Sequence, residues 1–131
     1  MLVNYTGRKS GKSYIYSRRR GSGGDSLETL MKFLAIEHEH PGLTGDDFQP
    51  HLEAEAARVW ELYQAEIIRE IYFCPERSVA VLMLECAGAE EARAVLDTLP
   101  LARAGLISFE VLALAPYSGF VRLFASPAGD P

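Results

Sequence analysis

Short apolar runs and amphipathic segments alternate along the central part of the chain. Residues 32–38 form an apolar run that ends before a proline–glycine pair, which predicts a buried first strand. Between residues 48 and 66, apolar positions recur at spacings of three and four, which predicts an amphipathic helix. Thr44 or Asp46 is placed to cap this helix. Its charged positions are expected to lie largely on the solvent side: Glu53, Glu55, Arg58 and Glu61.

The second half of the chain predicts a β-hairpin, a short helix and a last strand. Residues 67–73 and 79–85 are rich in β-branched and aromatic side chains, and the turn between them contains a proline. This pattern predicts two antiparallel strands. A short helix is predicted over 89–96, and a final strand over 107–112.

The resulting order, β-α-β-β-α-β from Met31 to about Leu114, predicts an α+β fold of the ferredoxin-like type. Both helices would cover one face of a four-stranded antiparallel sheet. The run from Val79 to Leu84 is apolar at every position, so the second face should also be buried. The same face of a second copy is the simplest cover, and the expected assembly is a dimeric α/β barrel.

Composition and charge divide the chain into three parts. Residues 1–30 carry six basic and two acidic side chains, a net charge of +4, which leaves −9 for the rest of a chain whose net charge is −5. We predict a basic, glycine- and serine-rich extension over 1–30, with a short hairpin followed by a linker, and a ferredoxin-like domain over 31–115. Residues 116–131 are predicted to form an oligomerisation arm and tail. Large apolar side chains in this arm would pack across a second copy, or alternatively fold back onto their own subunit.

The same composition excludes several partners. An acidic body argues against phosphate backbones as the main ligand, so no specific nucleic acid is expected. No apolar run approaches the ~20 residues that span a bilayer, so no membrane partner is expected. The two cysteines lie at opposite ends of the predicted hairpin, and free thiols are typical of a reducing compartment. We therefore expect a soluble, cytoplasmic protein.

One segment of the extension is similar to a phosphate-binding loop, over residues 6–13. Thr6 stands where the first glycine of such a loop should be, and a strand-like run at 14–16 follows where a helix is required. We therefore predict a small hairpin, residues 2–5 against 14–16, and no nucleotide. No cofactor is expected.

Several short motifs span most of the predicted domain: Glu55 and Leu62 in the long helix, Arg69 followed three residues later by Tyr72, Leu99-Pro100-Leu101, and Glu110-Val111 in the last strand. With these motifs, residues 31–117 resemble the muconolactone delta-isomerase-like branch of the dimeric α/β-barrel proteins. The sequence departs from that pattern at Glu66, where the family has glycine, and in a longer loop after Leu101. The resemblance implies a small cofactor-independent isomerase that transfers a proton on an unsaturated carboxylate or lactone, as a homodimer or higher oligomer.

This chemistry needs a base and a cation or donor for the enolate oxygen, without a metal or nucleotide. The candidate catalytic residues are Glu37, His38, Glu70 and Glu85. The candidate substrate-binding residues are Arg69, Tyr72 and Trp60. Strand alternation would place Arg69 on one face of its strand with Ile71 and Phe73, and Glu70 with Tyr72 on the other.

Other interpretations of these residues stay open. Arg69 could pair with a strand glutamate, across the sheet or across the dimer contact, and Trp60 could be a core residue. His38 could have an ordinary surface role. Spacing sets no third ligand for the histidines, so no metal site is predicted. The alternative function is a non-catalytic ligand-binding or assembly module with the same fold.

Overall fold

One antiparallel sheet and a layer of helices make up the chain in the computed structural model, which describes residues 4–7, 14–19 and 27–124. The strands are β1 (Asn4–Gly7), β2 (Tyr14–Arg19), β3 (Leu27–Glu39), β4 (Ile68–Cys74), β5 (Val79–Cys86) and β6 (Ile107–Leu114). The helices are α1 (Gly45–Phe48), α2 (Leu52–Gln64), α3 (Ala89–Leu96) and α4 (Pro100–Arg103), with 3-10 turns at Gln49–His51 and Gly119–Leu123. The predicted α+β class and the predicted hairpin, β4–β5, are confirmed, whereas α4 was not predicted.

The central strands lie in the order β6-β3-β5-β4, and every neighbouring pair is antiparallel. This order is compatible with a ferredoxin-like fold. In the single chain the sheet is open, and β4 is one of its edges. Among the described residues, no helix combines the length and the apolar composition needed to cross a membrane.

The core lies between the sheet and the helices. In the register of β3 and β5, Phe33 pairs with Leu84 and Ala35 with Leu82, and all four side chains are buried. They pack in one cluster with residues of α2 and α3, including Leu62. These residues define the helix face of the sheet, and their full burial supplies most of the apolar stabilisation of the fold.

The opposite side of the sheet is the open face. It carries the residues of alternate parity, Leu34, Ile36, Val81 and Met83, which are only half-buried in the single chain. On β6, Leu112 lies beside Leu34 and is exposed. The run of apolar residues in β5 predicts this apolar open face.

The N-terminal part differs from its prediction in its extent. The hairpin β1–β2 is present, but β2 continues to Arg19 and pairs with β3, which begins at Leu27 rather than Met31. Glycine, serine and like charges predicted a linker here, but the register of β2 and β3 shows that part of it is ladder-paired backbone. The turn was predicted over residues 7–11, and its part from residue 8 onward lies outside the described residues, as does the remaining linker at 20–26. The division at residue 30 stays a prediction.

The C-terminal arm leaves its large apolar side chains in solvent. Tyr117, Phe120, Val121, Leu123 and Phe124 are 64–85% exposed. Their own subunit therefore does not bury them, contrary to the alternative that they fold back onto it. Residues 125–131 lie outside the described part of the chain.

The helical segment before α2 begins at a capping box. Thr44 is the N-cap of the separate four-residue helix α1, and not of the long helix α2 as predicted, whose N-cap is His51. The Thr44 backbone N–H donates to Asp47 Oδ2 at 2.8 Å. We expect Asp47→Ala to lower the free energy of unfolding by about 1 kcal/mol, because it removes a partner from an otherwise unsatisfied terminal N–H. Urea denaturation measures this loss. Asp46→Ala, an equal charge change in the same turn, is the matched control, and an equal loss in both variants would attribute the effect to charge alone.

Candidate functional site

A groove of about 600 Å3 lies between α2 and the edge strand β4. Its lining residues are Ala56, Val59, Trp60, Tyr63, Arg69, Glu70, Ile71 and Tyr72. The helix supplies an apolar wall, and the strand supplies most of the polar groups. The groove therefore combines apolar surface with charged groups, as small-molecule sites do.

The aromatic wall is formed by two residues one helical turn apart. The rings of Trp60 and Tyr63 stack, with centroids 5.8 Å apart and planes 23° apart. Trp60 is 58% exposed and Tyr63 is 48% exposed, so the interpretation of Trp60 as a core residue is wrong. Exposed stacked aromatics provide a flat apolar surface for a planar ligand.

Arg69 sits at a β-bulge, which changes its direction. The register of β4 on β5 shifts between Ile68 and Glu70, so Arg69 is an extra residue on the bulged strand. Ile68 takes the buried position on the helix face. The bulge interrupts the two-residue period from which Arg69 was predicted to lie on the face of Ile71 and Phe73.

The guanidinium of Arg69 makes two ion pairs inside its own chain. Nη1 lies 3.4 Å from Glu66 Oε1, and Nε lies 3.9 Å from Glu85 Oε1. The Glu85 side chain is 4% exposed and stands opposite Lys32 in the ladder, on the open face. Glu85 therefore lies behind Arg69 rather than in the lining of the groove.

Glu70 and Tyr72 share the open face, as predicted. They stand opposite Met83 and Val81 in the register, and the Tyr72 hydroxyl donates to Glu70 Oε1 at 3.0 Å. This hydrogen bond and the carboxylate charge raise the pKa of Tyr72, because both favour the neutral phenol. The pair places a carboxylate next to a hydroxyl donor at the groove.

Glu37 lies elsewhere, under the helix layer. The pairing of β3 with β5 ends at Ile36 and Val81, and beyond it the Ala80 backbone N–H donates to Glu37 Oε2 at 2.5 Å. Glu37 is only 9% exposed. Burial raises the pKa of Glu37, the Ala80 hydrogen bond opposes the rise, and the charge of Glu39 adds to it.

A second carboxylate, which sequence reasoning placed on the solvent side, interacts with Glu37. Glu55 on α2 is half-buried, and its Oε2 accepts a hydrogen bond from the Leu101 backbone N–H at 2.9 Å. Burial raises the pKa of Glu55, the Leu101 hydrogen bond lowers it, and Glu37 raises it further. Glu55 falls at the apolar-stripe spacing between Leu52 and Val59, and this spacing was the signal that could have found it.

His38 lies at the far end of the open face. Its Nε2 is 3.5 Å from Glu110 Oε2, and both side chains are about half-exposed. Six residues of β3 separate His38 from Lys32, a span of about 20 Å at ~3.3 Å per residue. His38 is thus remote from Arg69. Within the described ranges, no cluster of three or more histidine, cysteine or acidic side chains is arranged to hold a metal ion.

The structure therefore brings part of the predicted site together. Trp60, Arg69, Glu70 and Tyr72 line one groove, and Glu85 contacts its arginine. Glu37 and His38 occupy two other places on the sheet. Ala56, Val59, Tyr63 and Ile71 complete the lining of the groove. The three on the helix were predicted as part of its apolar stripe.

Comparison with known proteins adds no identification. No protein-family model matches the chain, and no curated protein sequence matches it. The resemblance to the muconolactone delta-isomerase-like branch therefore stays a prediction from short motifs.

Proposed function

We propose that this chain is a small cofactor-independent isomerase, similar to muconolactone isomerase, which moves a proton on an unsaturated carboxylate or lactone. The observation that carries the proposal is the groove between α2 and β4. Arg69, Glu70 and Tyr72 border this groove at the edge of the sheet, the last two directed to the open face, and the stacked aromatic wall forms the other side of the groove. Proton transfer beside a carbonyl requires a base and a cation or donor for the enolate oxygen, and these residues can supply both.

Each group has a role in this proposal. Glu70 removes a proton from the carbon next to the carbonyl, and the electron pair of the broken C–H bond delocalises into an enolate. Arg69 and the neutral Tyr72 hydroxyl stabilise the developing negative charge on the enolate oxygen. Glu70 then returns the proton to the distal carbon of the conjugated system, so the double bond moves and no other atom is gained or lost.

The assembly is part of the proposal. The half-buried apolar side chains of the open face and the exposed arm from Tyr117 to Phe124 support self-association. We expect a homodimer in which two open faces enclose a dimeric α/β barrel, with the arm packed across the second copy. Light scattering measures the mass of the assembly.

Isotope exchange tests the chemistry directly. Unsaturated γ-lactones and conjugated carboxylates are incubated with the protein in deuterium oxide, and proton NMR follows the carbon next to the carbonyl. We expect deuterium at this carbon at a rate well above the protein-free rate, and a shifted double bond for the true substrate. An absence of exchange across the whole panel would count against the isomerase.

The second candidate is a non-catalytic ligand-binding or assembly module. The ion pairs of Arg69 with Glu66 and Glu85 favour it, because a guanidinium already engaged is less available to an enolate. Trp60 is the single tryptophan of the chain, so its fluorescence reports on the groove. Saturable quenching of this fluorescence by a ligand that undergoes no exchange would identify a binding module.

A further inference from the structure

Glu66, just after α2, has a backbone conformation that residues with a side chain rarely adopt. Its φ of 63° lies in the left-handed region. The Glu66 N–H donates to the Tyr63 carbonyl and the Ile67 N–H donates to the Leu62 carbonyl, each at 3.0 Å. These two hydrogen bonds form the Schellman motif that ends a helix, in which glycine is the usual residue at this position. A glutamate there carries a conformational cost that a glycine would not.

The side chain of Glu66 contacts Arg69 where two grooves meet. A second groove of about 370 Å3 adjoins the groove between α2 and β4, and Trp60, Tyr63 and Arg69 line both. Glu66 lines the second groove, and its Oε1 lies 3.4 Å from Arg69 Nη1. Because the Glu66 side chain is 46% exposed, water screens this ion pair, which adds little to the stability of the fold. Stability therefore does not account for a glutamate at a position that favours glycine.

Strained backbone persists where the surrounding structure holds it, and it clusters at functional sites. We propose that Glu66 is a positioning residue that holds the guanidinium of Arg69 in one orientation where the two grooves meet. The inference rests on the proposed role of Arg69, which binds an oxygen of the substrate, and it goes further by naming the group that fixes this arginine. It does not depend on proton transfer by Glu70.

Two carboxylates hold the arginine by different nitrogens. Glu66 pairs with Nη1, and Glu85, which lines neither groove, pairs with Nε at 3.9 Å. The guanidinium is a rigid fork of N–H donors, and these two pairs leave the N–H groups of Nη2 for a ligand oxygen. An arginine that is already held loses less conformational freedom when a ligand binds. Glu66 therefore strengthens the binding of an anion, although its own charge repels one.

Two substitutions at Glu66 separate positioning from charge. Glu66→Gln removes the negative charge but keeps the length of the side chain and an oxygen that can accept from Arg69. Glu66→Gly removes the same charge together with the acceptor and the backbone strain. The change in charge alone would strengthen the binding of an anion in both variants. Positioning predicts instead that E66G binds an anion more weakly than wild type and that E66Q does not.

NMR titration of the full chain measures this difference. The probe is trans-cinnamate, a planar unsaturated carboxylate, and the indole N–H of Trp60, the single tryptophan, reports on its binding. We expect E66G to bind the probe about two- to tenfold more weakly than wild type, the effect of leaving one long side chain to be ordered by the ligand. E66Q should bind it at least as tightly as wild type.

Stability measurements exclude a merely structural role for Glu66. E66G should unfold at a urea concentration no lower than wild type, because the glycine relieves the left-handed strain. Ser78→Gly is the matched control. Within the part of the chain that the structure describes, Ser78 is the other non-glycine residue with a positive φ, 54°, and it lines neither groove. S78G should bind the probe as wild type does.

The guanidinium also gives a readout that needs no ligand. Nitrogen NMR follows rotation about the Nε–Cζ bond of Arg69, whose signals are assigned by their loss in Arg69→Lys. We expect slower rotation in wild type and E66Q than in E66G, and this rate decides the matter if the wild-type chain does not bind the probe. Equal rotation in wild type and E66G, or binding of the probe by E66G as tight as by wild type, would overturn the inference.

Failure of this inference can be told apart from failure of the proposed isomerase. If E66G frees the guanidinium and no lactone or conjugated acid exchanges deuterium, Glu66 still positions Arg69 and the isomerase is wrong. If a substrate exchanges deuterium and E66G leaves the guanidinium and the probe unaffected, the isomerase stands and the role of Glu66 is wrong.

Discussion

Replacing Glu37 by glutamine is expected to stabilise the fold at about pH 8 and to have a much smaller effect at about pH 5. Glu37 is buried below the helix layer and accepts its hydrogen bond from the Ala80 N–H. The ionised carboxylate loses hydration there, whereas a glutamine carbonyl accepts the same bond without a charge. We expect a gain of ~0.5–2 kcal/mol at the higher pH, the range of single stabilising substitutions.

The direction in which the stability of the fold changes with pH follows from the direction of the pKa shifts. Glu37 and Glu55 both have a folded-state pKa above the ordinary value of 4.5. The folded protein therefore holds protons that the unfolded chain has already released, and its stability falls as the pH rises from 4.5 through the raised values. The groups that act on this pair are Glu39, which raises the pKa of Glu37, and His51, which lowers that of Glu55.

Urea denaturation of both proteins across this pH range measures the effect. The other ionisable groups are common to the two proteins, so their contributions cancel in the difference. Glu53→Gln removes one charge from an exposed position of α2 and serves as the control. A difference between wild type and E37Q that does not change with pH would contradict the assignment of a buried, titrating carboxylate.

The order of strands and helices could be predicted from the sequence, because it depends on local periodicity and on turns. The proline-containing turn after Cys74 predicted the β4–β5 hairpin, and the spacing of apolar residues predicted α2. In contrast, the pairing of β2 with β3 could not be predicted, although these strands are neighbours in the chain. Glycine- and serine-rich composition carries no signal for it.

Two features of the site could not be predicted from the sequence, for related reasons. A β-bulge adds one residue to a strand, and no glycine marks the one at Arg69, which interrupts the two-residue period assumed there. The burial of Glu55 depends on the position of α4, which presents the Leu101 N–H to it across 46 residues of chain. Single-element patterns do not contain this information.

The separation of the predicted catalytic residues has a physical cause as well. Glu37 and His38 are adjacent in β3, so their side chains point to opposite faces of the sheet. Glu70 follows the bulge and points to the open face beside Tyr72. Of the predicted bases, Glu70 is the one among the residues that line the groove with Arg69.

Replacing Glu70 by glutamine is accordingly expected to lower the rate of proton exchange in the bound substrate by about 10²- to 10⁴-fold, the usual contribution of a positioned general base. Glutamine keeps the shape of the side chain and can still accept the hydrogen bond of Tyr72, so the groove should persist. Quenching of Trp60 fluorescence by the substrate should therefore remain close to that of wild type.

Two comparisons make this result specific. Glu61→Gln on α2 removes one exposed carboxylate that pairs with Arg58 outside the groove, and it should leave the exchange rate unchanged. Tyr72→Phe should reduce the exchange rate less than E70Q does, because Arg69 still stabilises the enolate oxygen. If E70Q binds the substrate and exchanges its proton at the wild-type rate, Glu70 is not the base, and the binding module becomes the better account of the groove.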